Sequence, residues 1–335
     1  LEEILKRNFK QKRLIFTSNL KNAVINSDII FICVGTPTKK NSNSADLKHV
    51  FRVAKDLKKI IKKYKIIITK STVPVSTGDQ IEKILINLNK KKLVDVVSNP
   101  EFLREGEAIR DFIYPDRVII GTNSKKANKI LKSLYLPIIK KTSRYFNTSR
   151  RGAEMIKYAS NAFLATKISY INELSNLCEK TGVDIKEVSN GMGSDQRIGE
   201  RFLRAGPAYG GSCFPKDTRA LIDTAKKFNT NLSIVKSVVK SNNQRKYLLL
   251  KKVIKILNGK LKNKVITFLG VTFKPNTDDM REASSIPMIN FFKKKNCDIR
   301  YYDPSGEKKE FKKIKNVKFC KDIKSACLKS DLIII

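Results

Sequence analysis

The chain of 335 residues is poor in the residue types that several common kinds of site require. Its single histidine, His49, lies among lysines on an amphipathic segment and is expected at the surface, so a histidine base has no good candidate. The six cysteines form no CxxC pair, which argues against a zinc site and against a disulfide-linked, secreted scaffold. We therefore expect a protein of the reducing cytoplasm without a bound metal.

Long apolar runs and acidic residues are also lacking. No segment approaches the roughly 18 apolar residues that a membrane-spanning helix needs, so no membrane partner is expected. Asp and Glu number 31 against 69 Lys and Arg, and the net charge of +38 raises the alternative of a basic, catalytically inactive nucleic-acid-binding protein. The lysines, however, are spread through every segment and form no stripe. We expect only weak, salt-sensitive binding to nucleic acid and no specific partner of that kind.

Apolar runs of strand length alternate with helical patterns at both ends of the chain. Examples are "DIIFICVG", "KIIITKST", "VDVVSNP" and "PDRVIIGT" in the first part and "KVITFLG", "CDIRYYDP" and "DLIII" in the last. Continuous apolar strands separated by helices are typical of parallel α/β sheets that are covered on both faces. A long helix is predicted from Ser149 to about Lys180, and helices continue to about Leu257. The predicted parts are residues 1–147, 148–258 and 259–335.

Three predicted strands of the first part end in small polar loops, "VGTPT", "KSTVP" and "SNPEF". In parallel α/β sheets, ligands bind outside the carboxyl ends of the strands. Each loop alone is also compatible with an ordinary turn, since Thr-Pro and Ser-Thr are common turn sequences. Together the three loops predict a binding crevice at one edge of the sheet.

Two pairs of polar residues have helical spacing. Asn99 can cap a helix whose first residue is the proline after it, which would place Glu101 and Glu105 one turn apart on one face. On the long central helix, Lys157 and Asn161 share a face at i, i+4. In isolation, a solvated helix surface is the favoured interpretation of both pairs.

The stretch "YGGSCFPKD" places a thiol between a glycine pair and a Lys-Asp pair. Gly210 and Gly211 allow positive φ and close approach of the backbone to a ligand. Lys216 would favour the thiolate form of Cys213, and Asp217 would orient a water or a base. The alternative is a buried structural cysteine. The charges and glycines around Cys213 argue against an apolar pocket, so a reactive thiol is the preferred interpretation.

The last part begins like a nucleotide-binding unit, with the strand "VITFLG" and an acidic residue, Asp303, at the end of a later strand. It lacks GxGxxG and has only Gly270 in the first turn, so the phosphate-binding signature is incomplete. Lys274 and Arg281 in "TFKPNTDDMRE" suit phosphates, although surface cations are common in a chain this basic.

These motifs together resemble one family, the UDP-glucose 6-dehydrogenases within the nucleotide-sugar dehydrogenases. The likeness covers nearly the whole chain, and its carriers are "VGTPT", "KSTVP", "SNPEFLREG", "PDRVIIG", "IKYASNAFLATKISYINE", "DQRIG", "GPAYGGSCFPKD" and "LGVTFKPNTDDMREASSIP". The resemblance implies an α/β fold with two Rossmann-like parallel-sheet domains. A long central helix would join them, and a homodimer would form through the helical region.

The resemblance also implies the reaction, a four-electron oxidation of the C6 alcohol of UDP-glucose to a carboxylate with NAD as cofactor. The thiol of Cys213 would add to the intermediate aldehyde, and a thioester would form and be hydrolysed. Lys157 and Asn161 would stabilise the oxyanion, while Asp217 and Thr72 would hold the hydrolytic water. Glu105 would act as a base or orient that water.

Binding roles follow from the same resemblance, position by position. The implied NAD contacts are Val34, Gly35, Thr36, Pro37, Thr38, Ser71, Thr72, Val73, Glu105, Lys216 and Arg281. The implied substrate contacts are Glu101, Phe102, Leu103, Arg104, Glu105, Lys157, Asn161, Arg197, Phe202, Leu203, Arg204, Ala205, Gly206, Gly210, Phe273 and Lys274. Of these, Arg197 would reach the substrate of a neighbouring subunit.

The sequence departs from the family pattern in two respects. It has no strand–GxGxxG–helix unit before "DIIFICVG", and its ends suggest a fragment cut on both sides, which puts NAD binding by this stretch alone in question. Ala208 stands where the family usually has glycine, which is expected to be tolerated but to tighten the substrate loop. A sister enzyme acting on a UDP-N-acetylhexosamine or on GDP-mannose is the alternative within the family. The "FLREG" and "GGSCFPKD" strings favour UDP-glucose.

Overall fold

The computed structural model describes residues 1–40, 42–139 and 144–335. They form two compact units, Leu1–Ala159 and Ser160–Ile335. The predicted boundaries after residues 147 and 258 are not tested by this division and stay predictions. Within the described ranges, no helix combines the length and apolar character that a membrane crossing requires.

The first unit is built on a five-stranded sheet in the order β1-β2-β3-β4-β5. Its strands are Ile29–Ile32 (β1), Lys65–Thr69 (β2), Val94–Ser98 (β3), Arg117–Gly121 (β4) and Arg144–Thr148 (β5). The pairs β1–β2, β2–β3 and β4–β5 are parallel, while β3 meets β4 antiparallel through Ser98 and Gly121. The carboxyl ends of β1, β2 and β3 therefore lie at one edge.

Burial on both faces explains the apolar run in the middle of β2. Strand β2 is buried at every position: Ile67 packs into a core on one face, whereas Ile66 and Ile68 pack into the core on the other. Because successive side chains of a strand point to opposite faces, a strand covered on both sides has no polar alternation. The parallel α/β sheet predicted from this pattern is confirmed.

The first unit contains seven helices in the part of the chain that the structure describes. They are Glu2–Lys10 (α1), Leu20–Ile25 (α2), Lys48–Ile60 (α3), Thr77–Ile84 (α4), Ile86–Lys90 (α5), Ala108–Ile113 (α6) and Lys125–Tyr135 (α7). Helix α3 buries Val50, Ala54 and Leu57, which are spaced by three and four residues as on one helix face, and leaves His49 exposed as predicted. The long central helix, α8, runs from Arg150 to Thr181 and contains residues of both units.

The second unit contains the later helices and a parallel four-stranded sheet in the order β8-β7-β6-β9. The helices are Ile185–Gly193 (α9), Phe214–Lys227 (α10), Ser233–Ile256 (α11), Ser285–Lys294 (α12) and Ile323–Cys327 (α13); the strands are Val265–Leu269 (β6), Asp298–Tyr302 (β7), Val317–Phe319 (β8) and Leu332–Ile334 (β9). Phe268, Phe292, Tyr301 and Phe311 fill the core of this sheet. The predicted strands in "KVITFLG", "CDIRYYDP" and "DLIII" are thus present.

Candidate functional site

The loops after β1 and β2 are tied together by side-chain hydroxyls. The Ser71 hydroxyl donates to the carbonyl oxygens of Val34 (2.7 Å) and Ile32 (3.1 Å), and the Thr36 hydroxyl donates to the carbonyl of Thr72 (2.8 Å). Between them, a Cβ added at Gly35 would meet no atom within 4 Å. The structure therefore brings the predicted cofactor residues of these two loops together at the carboxyl edge of the sheet, with open space at Gly35.

The loop after β3 differs from the sequence prediction. Asn99 caps no helix: its buried side-chain amide donates to the carbonyl of Ile119 (2.8 Å), and its Oδ1 accepts hydrogen bonds from the Tyr135 hydroxyl and from Lys70 Nζ. The next helix, α6, begins only at Ala108. Because the side chain of Asn99 is hydrogen-bonded to β4, it is not available to cap a helix, and the chain does not turn into a helix after it. The prediction that Glu101 and Glu105 lie one turn apart on a helix is therefore wrong.

Lys157 is buried on α8, which contradicts a solvated surface position. Its Nζ lies 3.6 Å from Oε1 of Glu101 and 5.1 Å from the ring centroid of Phe102. The other oxygen of Glu101 accepts a hydrogen bond from the backbone N–H of Leu103 (2.6 Å). The guanidinium of Arg117 lies 4.1 Å from the same Phe102 centroid. A buried ammonium group beside a carboxylate and an aromatic face is suited to hold a developing negative charge.

Lys70 belongs to the same cluster and was not singled out in the sequence. It follows β2, and its Nζ donates to Asn99 Oδ1 at 3.1 Å. Burial lowers the pKa of Lys70 to about 8, while Glu101 acts in the opposite direction. The signal that could have identified Lys70 is its position, since it is the first residue of the "KSTVP" loop.

The remaining predicted residues after β3 have more local roles. Arg104 forms a two-pronged pair with Asp111, whose carboxylate raises the pKa of Arg104, and it also contacts Glu107 at 2.5 Å. Leu103 and Glu105 are half-buried. The pairing of Arg104 fixes the segment between β3 and α6 that carries these side chains.

In the second unit, Cys213 is exposed and directly precedes α10, which has Pro215 in its first turn. The buried structural cysteine considered above is therefore excluded. The backbone N–H groups of a helix's first turn have no partners within the helix, so the start of α10, which directly follows Cys213, is suited to hold an anion. The Ser212 hydroxyl lies 3.5 Å from the sulfur.

Asn161, Lys216 and Asp217 form a buried polar cluster beside the start of α10. Asp217 is only 1% exposed, and its two oxygens bind Asn161 Nδ2 at 2.6 Å and Lys216 Nζ at 2.5 Å. The residues predicted to act on the oxyanion and on the water, Asn161 and Asp217, are thus in direct contact. The structure pairs Lys216, a predicted cofactor contact, with Asp217.

The two glycines before Cys213 are required by close backbone packing. A Cβ at Gly210 would lie 2.7 Å from the carbonyl oxygen of Glu282, and a Cβ at Gly211 would lie 2.7 Å from the ring of Phe273. Gly211 also has a φ of +77°, and its N–H donates to the carbonyl of Arg281 at 2.8 Å. The close approach that these glycines permit is therefore to a neighbouring segment of the same unit.

Three polar residues hold the backbone before these glycines and were missed in the sequence. Asn172 on α8 accepts from Gly206 N–H (2.7 Å), and Arg245 on α11 donates to the Gly206 carbonyl (3.0 Å). Asn242 on α11 binds both the N–H (2.8 Å) and the carbonyl (3.0 Å) of Tyr209. Each acts on main-chain atoms, so the residue type gives no sign of its role, although Asn172 lies within the quoted stretch "IKYASNAFLATKISYINE". They fix the predicted substrate loop, which also contains Phe202, Leu203, Arg204 and Ala205.

The predicted phosphate-binding cations of this unit lie near acidic or aromatic partners. Arg281 forms a two-pronged pair with Asp279, and Lys274 Nζ lies 5.7 Å from the Phe273 centroid. The exposed Arg197 is paired with Asp195. The carboxylate of the strand-end residue Asp303 already accepts from Val271 N–H (3.0 Å), from the N–H and the hydroxyl of Ser305 and from Lys308 Nζ, so it stabilises the turn after β6.

Three segments of the chain match one family of enzymes. Residues 1–139 match the NAD binding domain of the UDP-glucose/GDP-mannose dehydrogenase family, residues 151–244 its central domain and residues 267–335 its UDP binding domain. The chain belongs to this family. The resemblance predicted from the motifs is confirmed.

Relatives within the family agree on a name. A Rhizobium meliloti protein named UDP-glucose 6-dehydrogenase is 43% identical over 100% of this chain and 77% of its own length. A Bacillus subtilis protein of the same name is 47% identical over 91% of this chain and 68% of its own length.

Solved structures of the family share the fold. A UDP-glucose dehydrogenase from the hyperthermophilic archaeon Pyrobaculum islandicum aligns with a TM-score of 0.93 at 34% identity, covering 99% of this chain and 77% of that one. A UDP-D-ManNAc dehydrogenase from Pyrococcus horikoshii, at 24% identity, a TM-score of 0.84 and coverage of 98% and 75%, shares the fold alone. The predicted α/β architecture with parallel sheets and a long central helix is confirmed.

Proposed function

We propose that the chain oxidises UDP-glucose to UDP-glucuronate with NAD, as the names of its relatives indicate. The observation that carries this proposal is the exposed thiol of Cys213 at the start of α10, beside the buried Asn161–Asp217–Lys216 cluster. A simple alcohol dehydrogenase needs no nucleophile, whereas oxidation to the acid with the sugar held in place benefits from a covalent thiol adduct.

The residues after β1 and β2 fit a dinucleotide, because two hydroxyl-bridged loops leave open space at Gly35 at the carboxyl edge of a parallel sheet. Residues 34–38 and 71–73 would hold NAD, with Glu105, Lys216 and Arg281 as further proposed contacts. Bound NAD+ supplies the hydride acceptor for both oxidations. The sequence before β1 contains no GxGxxG, so this part of the chain does not provide a phosphate-binding loop of that type.

In the proposed reaction, the C6 alcohol loses a proton and a hydride and becomes an aldehyde. The Cys213 thiolate adds to the carbonyl carbon, and the resulting oxyanion is stabilised by the ammonium of Lys157 and the side-chain amide of Asn161. Loss of a second hydride from this thiohemiacetal leaves a thioester. Water then attacks the thioester carbon, the C–S bond breaks, and the carboxylate is released with the thiolate restored.

Water activation is assigned to three side chains. Asp217 and Thr72 would hold the attacking water, and Glu105 would accept its proton or orient it. Asp217 is well suited to a fixed orientation because both of its oxygens are engaged by Asn161 and Lys216. Around the sugar nucleotide, the proposed contacts are residues 101–105, 202–206, 210, 273 and 274. We further propose a cytoplasmic homodimer in which Arg197 acts on the neighbouring subunit's substrate.

The decisive experiment counts the NADH formed per UDP-glucose consumed by the full chain, with Cys213→Ser as the comparison. Two NADH per sugar, with turnover lost in the variant, is the expected result. One NADH per sugar would refute the role of Cys213. No NADH from UDP-glucose, but two from a UDP-N-acetylhexosamine or GDP-mannose, would keep the mechanism and replace the substrate.

A further inference from the structure

Glu154 is a buried carboxylic acid that the proposed mechanism does not use. It lies on α8, one turn before Lys157, and is only 3% exposed. Its carboxylate accepts three hydrogen bonds, from the N–H of Ser76 (2.8 Å), the N–H of Gly78 (2.8 Å) and the hydroxyl of Ser98 (3.1 Å). A buried acid with this many donors is held in one orientation, so it also fixes the groups that donate to it.

The donors lie on the two segments whose loops the mechanism uses. Ser76 and Gly78 stand at the start of α4, which follows the loop that contains Thr72. The intervening turn is closed by Thr77, whose hydroxyl donates to the carbonyl of Pro74 at 2.6 Å. Ser98 is the last residue of β3.

Beyond Ser98, the chain leads through Asn99 to Glu101, the partner of Lys157. One carboxylate on α8 therefore connects the loop after β2, the loop after β3 and the helix that carries Lys157.

We propose that Glu154 is a positioning residue of the reaction: its ionised carboxylate holds the Thr72 loop and the Glu101 loop in register with Lys157. The inference rests on the proposed function, because Thr72 and Lys157 are functional residues only in that reaction. Glu154 itself touches no substrate or cofactor in this account. Its role is exerted through Ser76, Gly78 and Ser98.

Protonation offers a way to test this role. Burial raises the pKa of Glu154 to about 7, against the lowering effect of its three hydrogen bonds, and the charge of Asp79 on α4 raises it further. On α8, Arg150 is paired with Asp79 and Glu82, and Arg151 with Asp79. From β3 the facing group is the hydroxyl of Ser98. Below about pH 7 one carboxyl oxygen gains a proton and loses acceptor capacity, so a backbone N–H of the α4 start loses its partner.

The experiment measures kcat and KM for UDP-glucose from about pH 5.5 to 9 in the full chain. The wild type should lose kcat on the acid side with an apparent pKa near 7. Glu154→Gln keeps the shape but not the charge, so it should abolish this acid limb and lower kcat roughly 10- to 100-fold, with little change in KM. Ser98→Ala removes one donor to the carboxylate and should move the limb to higher pH.

Glu82→Gln is the matched control, since Glu82 lies on α4, the helix whose first residues donate to Glu154, and contacts Arg150 and Asn89 but not Glu154. It should keep the limb in place. The proposal would be overturned if Glu154→Gln kept full kcat and the same loss of kcat on the acid side. It would also be overturned if Ser98→Ala lost kcat at the same pH as the wild type. If Glu154→Gln fails to fold, the Ser98→Ala shift alone decides.

Failure of the proposed function has a different signature. In that case the wild type makes no NADH from UDP-glucose, and the Glu154 ionisation is read instead from the pH dependence of the thermal unfolding midpoint. A Ser98→Ala variant whose midpoint responds to pH exactly as the wild type does would then reject the carboxylate contact itself. A shifted response would support the contact while leaving the reaction to be reassigned.

Discussion

Ala208→Gly should stabilise the substrate loop, although glycine usually weakens a fold. Ala208 has a φ of +139°, a backbone conformation that glycine adopts easily and other residues adopt at a cost of about 1–3 kcal/mol. The surrounding backbone cannot relax around it, because Gly206 and Tyr209 are held by side chains of α8 and α11. The carbonyl of Pro207 also accepts a hydrogen bond from Ser284 at 3.2 Å.

Two effects oppose the gain. Ala208 is only 9% exposed, so removing its methyl group loses about 0.8 kcal/mol of burial. Glycine also raises the entropy of the unfolded chain, which costs about 0.4–1 kcal/mol. Against about 1–3 kcal/mol of strain, the net change should lie between a loss of about 0.8 kcal/mol and a gain of about 1.8 kcal/mol, with a gain over most of that range.

A comparison with Ala205→Gly isolates the strain. Ala205 has no positive φ, so the same substitution there loses a methyl group and gains unfolded-state entropy without relieving strain. The unfolding free energy of Ala208→Gly, measured by urea denaturation, should exceed that of Ala205→Gly by about 1–3 kcal/mol. Equal values for the two variants would refute the claim that the loop is strained at Ala208.

Three further predictions concern the contacts of Gly210, Asp217 and Glu154. Gly210→Ala should destabilise the chain by about 1–3 kcal/mol, because its Cβ would lie 2.7 Å from the Glu282 carbonyl oxygen. A Cβ at Gly206 would meet no atom within 4 Å, so Gly206→Ala should lower the thermal unfolding midpoint less than Gly210→Ala does. Asp217→Asn should lose roughly 100-fold in kcat, and a kcat near wild type would contradict its role. Glu154 binds its proton more tightly when folded, so its contribution is greatest below about pH 4.5 and is lost as pH rises through about 7. Wild type should therefore lose up to about 3 kcal/mol more than Glu154→Gln in urea melts over that range, and parallel curves would contradict the raised pKa.

The strands and the long helix could be predicted because local pattern and tertiary burial agree. Residues 66–68 form an unbroken apolar run since both faces of β2 are covered, and α8 has no glycine or proline after Gly152 to interrupt it. Within the described residues, the helix predicted to begin after Asn99 is absent. An Asn-Pro pair is a good start for a helix, but the amide group of Asn99 is bonded to Ile119 and Tyr135, residues that are distant in sequence. Tertiary contacts of this kind override local propensity.

The burial of Lys157 and the role of Glu154 could not be predicted for a related reason. A helical spacing of four residues is the same on a surface face and on a buried polar face, so the pattern around Lys157 left both open. Lys157 is buried beside Glu101, a partner that precedes it in the sequence by more than fifty residues. Glu154 acts on backbone N–H groups, which every residue except proline has, and leaves no mark on the sequence of its partners.

The distribution of buried charge bears on the large excess of lysine. A buried ammonium group is costly unless a carboxylate is near, and the side chains of Lys157, Lys216 and Lys308 are each no more than 17% exposed and lie within 3.6 Å of an acid. The chain has 31 acidic residues against 69 Lys and Arg, and some of these few acids lie beside buried lysines. Replacing exposed lysines should therefore change solubility and nonspecific anion binding, whereas removing one of the acids that pair with these buried lysines should change the fold or the reaction.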